Sequence, residues 1–255
     1  SDSIDLVSGS PQGLLTIWSR TRGSAGEVRA VSSLATLPFA LNTNDPAIRS
    51  VDDLARCKKI AVPSVKVSAQ AVTIQAAAAK AYGIKEFARY DQYTVSMSPP
   101  DSTIALLSGT AEVACNFAVP PYMQQQLQSA SIHTVLNSFD VWGGPNTFTT
   151  AYMSTRFRTR NPVLFKAIYA ALQEATGRVN ADPESAARYW IEDGESKLSL
   201  DFVKSVATAP GTVWTTAPQG TEAIAAFMSE VGSIKVKPAS WKDFFFPEAY
   251  ELNGS

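Results

Sequence analysis

Short apolar segments alternate with amphipathic helical segments through most of the chain. Seven segments have the length and composition of strands: 4–7, 28–34, 39–41, 60–62, 112–115, 134–136 and 148–153. Helical patterns include 101–107, 120–127, 162–176 and 183–190. Such alternation predicts an α/β fold with largely parallel sheets.

One complete helix–strand–helix unit is predicted in residues 48–83, IRSVDDLARCKKIAVPSVKVSAQAVTIQAAAAKAYG. Ser50 and Asp53 form a predicted capping box, residues 60–62 form a short strand, and Ser68 opens an Ala-rich helix that Gly83 ends. The unpaired N–H groups at such a helix start favour an anion or a polar ligand. Two interpretations of the 64–68 turn are open: a ligand contact or an ordinary turn between strand and helix.

Three motifs carry a resemblance to a known family. IRSVDDLARCKKIAVP (48–63) resembles the start of the second domain in the nitrate/taurine/sulfonate class of ABC-transporter periplasmic substrate-binding proteins, although Cys57 stands where that class commonly has Gly. NPVLFKAIYAALQEATGRVNADPESAARYW (161–190) is similar to a helix pair of the same class, and SDSIDLVSGSP (1–11) to its early strand. The resemblance implies a two-lobed periplasmic-binding-protein type II-like fold, with mostly parallel sheets flanked by helices.

We expect lobe I to comprise residues 1–56 and 145–255, and lobe II residues 57–144. The implied function is the extracytoplasmic solute-binding component of an ABC importer. It would bind a small organic anion or an aromatic or sulfonate-type solute in the inter-lobe cleft. The implied partners are that solute and a cognate membrane permease, and the implied state is a monomer. The implied location is periplasmic or otherwise extracytoplasmic. A full-length precursor that is anchored by a lipid is one of the possibilities that the resemblance implies.

Composition excludes other classes of function. The 255 residues carry 22 Lys and Arg against 23 Asp and Glu, so there is no basic field for nucleic acid. Hydrophobic residues make up 45% of the chain, yet no apolar run approaches the ~18 residues of a transmembrane helix. We therefore expect a globular protein that does not bind nucleic acid.

The two cysteines, Cys57 and Cys115, fit either a single bridge or two buried thiols. Cys57 precedes one predicted parallel strand and Cys115 ends another. This arrangement places them at opposite edges of the predicted sheet. We expect them to be unpaired.

A faint internal repeat bears on the organisation of the chain. Residues 103–116, TIALLSGTAEVACN, run from a helix through Ser-Gly and an acidic residue to an apolar strand and Asn. Residues 1–10, SDSIDLVSGS, repeat the second half of that pattern. If the copies mark two similar half-domains, a counterpart of residues 58–107, roughly 50 residues, precedes residue 1. We expect the fold to be N-terminally incomplete in this sequence.

Ligands of open α/β sheets bind beyond the carboxyl ends of parallel strands, where helix N-termini also point. Three corners meet this description: 8–11, 64–68 and 116–121. The predicted contacts there are Ser10, Pro11, Ser64, Val65, Ser68, Asn116 and Phe117. Helix capping is the alternative role at each corner, and for Ser68 the two roles are equally favoured.

Residues 140–149, DVWGGPNTFT, form the predicted crossing back to the first lobe. Trp142 is expected either to cover a bound solute or to pack the seam between lobes. Asn146 and Thr147 are candidate polar partners. Trp18 and the 241–246 aromatic cluster are expected in the core.

Catalytic machinery is hard to assemble from this sequence. It contains no G-x-S-x-G, C-x-x-C, H-E-x-x-H, P-loop or G-x-G-x-x-G motif. The single histidine, His133, lies in a β-like run and is expected to be packed. We predict no catalytic residues, no metal site and no cofactor. Two alternatives stay open: a pyrimidine-synthesis-type enzyme on the same fold and a ligand-sensing module.

Overall fold

A computed structural model describes residues 4–109 and 113–255 of the chain. These residues divide into two compact units. The first contains the described residues up to Leu37 together with Pro145–Ser255, and the second contains Pro38–Gly144. Each unit has its own sheet and its own buried core.

The strands of the described residues are β1 (Leu6–Gly9), β2 (Val28–Thr36), β3 (Ala40–Thr43), β4 (Ile60–Val62), β5 (Thr94–Ser96), β6 (Cys115–Ala118), β7 (His133–Asn137), β8 (Thr147–Ser154) and β9 (Val213–Trp214). The α-helices are α1 (Pro11–Thr21), α2 (Ala69–Tyr82), α3 (Pro99–Leu107), α4 (Tyr122–Leu127), α5 (Ser138–Trp142), α6 (Thr155–Arg160), α7 (Pro162–Ala181), α8 (Pro183–Asp193), α9 (Leu200–Ala207) and α10 (Thr221–Glu230). Short 3₁₀ turns lie at Val51–Cys57, Ile84–Glu86, Asp91–Tyr93, Trp241–Phe244 and Pro247–Ala249.

The sheet of the first unit has the strand order β1-β8-β2-β9, and every neighbouring pair is antiparallel. The sheet of the second unit has the order β5-β4-β6-β3-β7. Only the β4–β5 and β4–β6 pairs are parallel. The sheets are therefore not mostly parallel, although the sequence pattern predicted that they would be. The reason is that β3 and β8 each lie between two strands of their sheet and run antiparallel to both.

Residues 38–56 lie in the second unit, not in the first as the predicted lobe boundary has it. The physical reason is β3, which pairs along its whole length with β6 and β7. Strand pairing is a long-range property, and the sequence of residues 40–43 does not specify its partner.

Cys57 and Cys115 form a disulfide, so the expectation that they are unpaired is wrong. Strand β6 begins at Cys115, whereas the sequence pattern predicted that a strand ends there. Cys57 lies three residues before β4, which pairs with β6 in parallel and places Ile60 beside Cys115. Both cysteines therefore lie at the amino ends of neighbouring strands, with their Cα atoms 5.5 Å apart.

The aromatic cluster near the C-terminus is core, as predicted. Trp241, Phe244, Phe245 and Phe246 are buried, and Phe244 packs edge-on against the buried indole of Trp18. Phe246 packs in the same manner against Phe165 of α7. These contacts fasten the tail to α1 and α7 of the first unit.

The predicted helix starts are largely confirmed. Ser68 caps α2 by accepting from the N–H of Ala71, Gly83 follows the last residue of α2, and Asp182 caps α8. Helix α4 begins at Tyr122, two residues later than predicted, because the residue before a proline disfavours helical geometry and Pro120 precedes Pro121. Among the described helices, none has the length and hydropathy to cross a bilayer.

Candidate functional site

The corner after β4 places Ser64, Val65 and Ser68 at the start of α2. Residues 64–67 are exposed, and Lys66 adopts a left-handed backbone with φ of 66°. The Ser68 hydroxyl accepts from Ala71 N at 3.3 Å and donates to the carbonyl of Ser64 at 2.7 Å. Its side chain thus closes the turn, and the groups left for a solute are the backbone N–H groups of the first helical turn.

Asn116 lies inside β6, not beyond its end as the sequence pattern predicted. It is buried, and its Nδ2 has no hydrogen-bond partner. Burying an unpaired amide N–H costs about 1–3 kcal/mol. This group is therefore a donor that the local structure leaves available.

A small cavity lies beside Asn116 and is lined also by Gln70, Ser102, Met97 and Tyr122. Its volume is about 10 Å³, which holds at most about one water molecule. The cavity by itself does not hold an organic solute. It does show that Asn116 and the buried Gln70 of α2 line the same small space.

Phe117 is a core residue in this structure. It is buried, and its ring centroid lies 5.3 Å from that of Phe39. Its predicted contact with a solute stays a prediction. Trp142, the other predicted aromatic contact, is partly exposed.

Trp142, the last residue of α5, is tied to α2. Its indole Nε1 donates to the hydroxyl of Thr73 at 3.1 Å, and that hydroxyl donates to the carbonyl of Ala69 at 2.7 Å. Ala69 is the first residue of α2. A chain of two hydrogen bonds thus connects Trp142 to the helix start at Ser68.

The first unit holds a second corner of the same design. Ser10 caps α1 by accepting from Gly13 N at 3.3 Å, and Pro11 is buried at the first helical position. The next residue, Gln12, is buried, and its Oε1 has no hydrogen-bond partner.

Asn146 and Thr147 lie at the start of β8 in the first unit. Asn146 is buried with its Oδ1 unpartnered. Thr147 accepts from Gln219 N at 2.9 Å and lies 3.3 Å from the Ser33 hydroxyl, so it holds neighbouring segments together. Asn146 is therefore the better candidate contact of the two.

The sequence prediction missed Gln12 and Gln70. A signal for them is present, because Ser10-Pro11-Gln12 and Ser68-Ala69-Gln70 repeat Ser-x-Gln at the starts of two capped helices. In both helices the glutamine occupies the second helical position and is buried.

His133 is packed, as predicted. Its Nε2 lies 2.8 Å from the carbonyl oxygen of Ile48 and links β7 to the segment before the first 3₁₀ turn. Within residues 4–109 and 113–255, no three His, Cys, Asp or Glu residues group to hold a metal ion.

No protein-family model and no curated protein matches the sequence. Several solved structures are similar in fold. The alkanesulfonate-binding protein SsuA from Xanthomonas axonopodis pv. citri, bound to MOPS, is 18% identical with a TM-score of 0.67, and the match covers 97% of this chain and 80% of that one. The periplasmic aliphatic sulphonate-binding protein SsuA from Escherichia coli is 17% identical with a TM-score of 0.68, covering 97% and 81%.

A third match is the Candida albicans CA3427 gene product, which exhibits the generic periplasmic binding protein structural fold. It is 12% identical with a TM-score of 0.64, and the match covers 94% of this chain and 76% of that one. The chain has the periplasmic-binding-protein fold.

Proposed function

We propose that this protein is the solute-binding component of an ABC importer and that its solute is a small organic anion of the sulfonate type. The observation that carries the proposal is the repeated Ser-x-Gln corner. Each unit has a strand that leads into a Ser-capped helix whose second residue is a buried glutamine. Free backbone N–H groups and the positive end of the helix dipole favour an anionic group.

The anion class follows from the chemistry of the corners. Lys66 is the only basic side chain at the predicted corners, so hydrogen-bond donors carry most of the recognition. Trp142 offers an apolar surface for the organic part of the solute. The MOPS bound by the Xanthomonas protein is a sulfonate of this type, which supports the same class for this chain.

The Cys57–Cys115 disulfide supports a periplasmic location, because disulfides persist in oxidising compartments. In the proposed role the loaded protein acts as a monomer and delivers its solute to a membrane permease. The corner of the first unit, with Ser10 and the unpartnered Gln12, is a second candidate contact for an anionic group.

Calorimetry and thermal shift with MOPS, taurine, ethanesulfonate, benzoate and nitrate test the proposal. A sulfonate at about 100 times its Kd should stabilise the protein by about 2.7 kcal/mol and raise Tm by several degrees. Binding of nitrate alone, or of none of these solutes, would overturn it.

Paired variants locate the site. Gln70→Leu should weaken sulfonate binding by about 10-fold or more, since a hydrogen bond to a charged group contributes about 1.5–3 kcal/mol. Gln75→Leu is the matched control, because Gln75 is buried on the same helix and is bonded to Asp91 at 3.0 Å. Gln12→Leu is a separate test of the corner in the first unit, and weaker sulfonate binding by this variant would place the anion at that corner. Equal effects at Gln70 and Gln75 would argue against the α2 corner.

A further inference from the structure

The C-terminal end of α8 carries two aromatic and two acidic side chains on the surface of the first unit. Tyr189 and Trp190 are 68% and 46% exposed, and Glu192 and Asp193 are exposed beside them. These four residues line a concavity of about 610 Å³. Tyrosine and tryptophan are enriched at protein interfaces, so an adjacent exposed pair of them indicates an interaction surface.

The spacing of the four residues forms two matched pairs. Residues three apart are neighbours on the surface of a helix, so Tyr189 lies beside Glu192 and Trp190 beside Asp193. Each pair therefore combines an aromatic ring with a carboxylate. Within residues 4–109 and 113–255, none of these four side chains has a hydrogen bond, an ion pair or a ring contact with another protein group.

The stability of α8 does not explain its acidic end. Carboxylates are unfavourable at the C-terminus of a helix, where the helix dipole is negative, and the last turn of α8 contains no basic residue. At the other end of the helix, Glu184 is paired with Arg188 at 2.9 Å and with Lys204 at 3.0 Å. In the described part of the chain, the carboxylates at the C-terminal end of α8 have no such partner.

We propose that the C-terminal end of α8 is a docking surface for a protein segment that carries two arginines. A guanidinium group stacks on an aromatic face and makes a forked contact with a carboxylate, which an ammonium group cannot do. One arginine therefore fits each aromatic–carboxylate pair. The negative charge disfavours nucleic acid, anionic lipid and a sulfonate at this surface. The inference does not depend on the proposed solute.

The shape of the concavity argues for a protein partner and against a small cation. All four lining residues belong to one short stretch of a single helix. Small-molecule sites usually enclose most of the surface of their ligand, and one helix end cannot do so. A partner protein brings its own surface to complete the walls. Tryptophan, tyrosine and arginine are also the residues that contribute most to binding at protein interfaces.

Peptide titration tests the proposal on the 255-residue protein. The probe is acetyl-Gly-Arg-Gly-Arg-Gly-amide, and binding is followed by fluorine NMR of protein labelled with fluorotryptophan, with the signal of Trp190 assigned from Trp190→Phe. We expect a saturable shift of this signal. A peptide with citrulline in place of arginine should bind at least about 10-fold more weakly, because it keeps the shape and loses the charge. Raising the ionic strength from about 0.02 M to about 0.2 M should also weaken binding.

Three results of the titration would overturn the proposal. They are the absence of a saturable shift, equal binding of the arginine and citrulline peptides, and equal binding of the peptide and of free arginine amide. The last result would identify a site for a small cation. A concentration-dependent dimer whose formation shifts the Trp190 signal would identify a second copy of the chain as the partner and would likewise contradict the proposal.

Variants of the surface provide an independent readout. The Glu192→Gln, Asp193→Asn double variant should bind the peptide at least about 5-fold more weakly, and Tyr189→Ala at least about 3-fold more weakly. Neither should lower Tm by more than about 2 °C, because the carboxylates are unfavourable at this helix end and Tyr189 is mostly exposed. Glu174→Gln is the matched control, since Glu174 is an exposed carboxylate on α7. Unchanged binding by the double variant, or equal weakening by Glu174→Gln, would refute the docking surface.

Discussion

The indole Nε1 of Trp142 donates a 3.1 Å hydrogen bond to the hydroxyl of Thr73, which joins the end of α5 to the first turns of α2. Thr73 is fully buried, so this bond is formed away from water. It positions the partly exposed indole of Trp142 relative to the helix start that we propose to bind the solute.

Trp142→Phe should lower the free energy of unfolding by about 1 kcal/mol, because the ring is largely kept and one hydrogen bond is lost. Urea unfolding of this variant, of Thr73→Val and of the double variant gives the coupling between the two groups. We expect a coupling of about 1 kcal/mol. Trp190→Phe is the control, since Trp190 is half-exposed on α8 and should change stability by less than about 0.5 kcal/mol. A coupling near zero would show that the bond is not formed in solution.

The Cys57–Cys115 disulfide closes a loop with a sequence separation of 58 residues. Chain-entropy arguments assign such a crosslink about 4 kcal/mol of stability. The Cys57→Ala, Cys115→Ala double variant should therefore unfold at clearly lower urea concentration than the oxidised protein. The oxidised protein and the variant are each unfolded with and without reductant. The reductant should lower the urea midpoint of the oxidised protein and leave that of the variant unchanged. Free thiols detected by mass spectrometry in the non-reduced, unfolded protein would contradict the bridge.

Glu27 provides a prediction for acid stability. Burial opposes ionisation of this carboxyl, but hydrogen bonds from the Gly23 N–H at 3.0 Å and the Arg29 guanidinium at 2.7 Å outweigh it, so its pKa is lowered from 4.5. A depressed pKa contributes stability that is present above the unfolded pKa and is lost as pH falls through the folded pKa. The contribution should therefore be complete at pH 7 and decline below about pH 4.5.

Glu27→Gln tests this prediction. The variant should be less stable than the parent at pH 7, and the difference should shrink as the pH falls below 4. Urea unfolding between pH 3 and pH 7 gives the comparison. A difference that is independent of pH would mean that the carboxylate charge is not what stabilises this turn.

Arg158 of α6 holds the C-terminal segment in place within the first unit. Its guanidinium donates from Nε and Nη2 to Glu248 Oε1 at 3.2 and 2.6 Å, and it lies 5.1 Å from the ring centroid of Phe165 and 5.3 Å from that of Phe246. Arg158→Lys should cost about 1–2 kcal/mol, because an ammonium group cannot make the same forked contact while stacking on aromatic rings. Thermal unfolding measures the change.

Arg178→Lys is the matched control for Arg158→Lys. Arg178 pairs with Glu174 at 2.7 Å on α7, but its side chain is mostly exposed, so the expected cost is below about 0.5 kcal/mol. If both substitutions have equal effects, the aromatic stacking at Arg158 contributes nothing measurable.

Helix caps, helix ends and some strand bounds could be predicted from the sequence, because they depend on residues that lie close together along the chain. The capping box of Ser50 and Asp53, the Ser68 cap and the Gly83 end of α2 were predicted and are present, although residues 51–57 form a 3₁₀ helix. The predicted strand 60–62 has the bounds that the structure shows. The predicted strand 112–115 lies partly outside the described residues, and β6 begins where that prediction ended.

The roles of Asn116 and Phe117 could not be derived in this way. A four-residue apolar run does not determine where its strand begins and ends or which strand pairs with it. The observed strand β6 begins three residues later than the predicted strand, so Asn116 lies in a buried strand and not in the predicted loop. Gln12 and Gln70 were missed because a glutamine in the first turn of a helix is usually exposed to solvent. Only the tertiary packing around the helix start shows that these two are buried.

The sequence by itself determined the alternation of strands and helices, the capped helix starts, the buried aromatic tail and the resemblance to solute-binding proteins. Each depends on periodicity or on groups a few residues apart. Only the tertiary structure decided that β3 and β8 run antiparallel to their neighbours and that Cys57 bonds to Cys115. These features depend on pairing between segments far apart in the chain, where the free energy comes from burial and sheet register and not from local propensity.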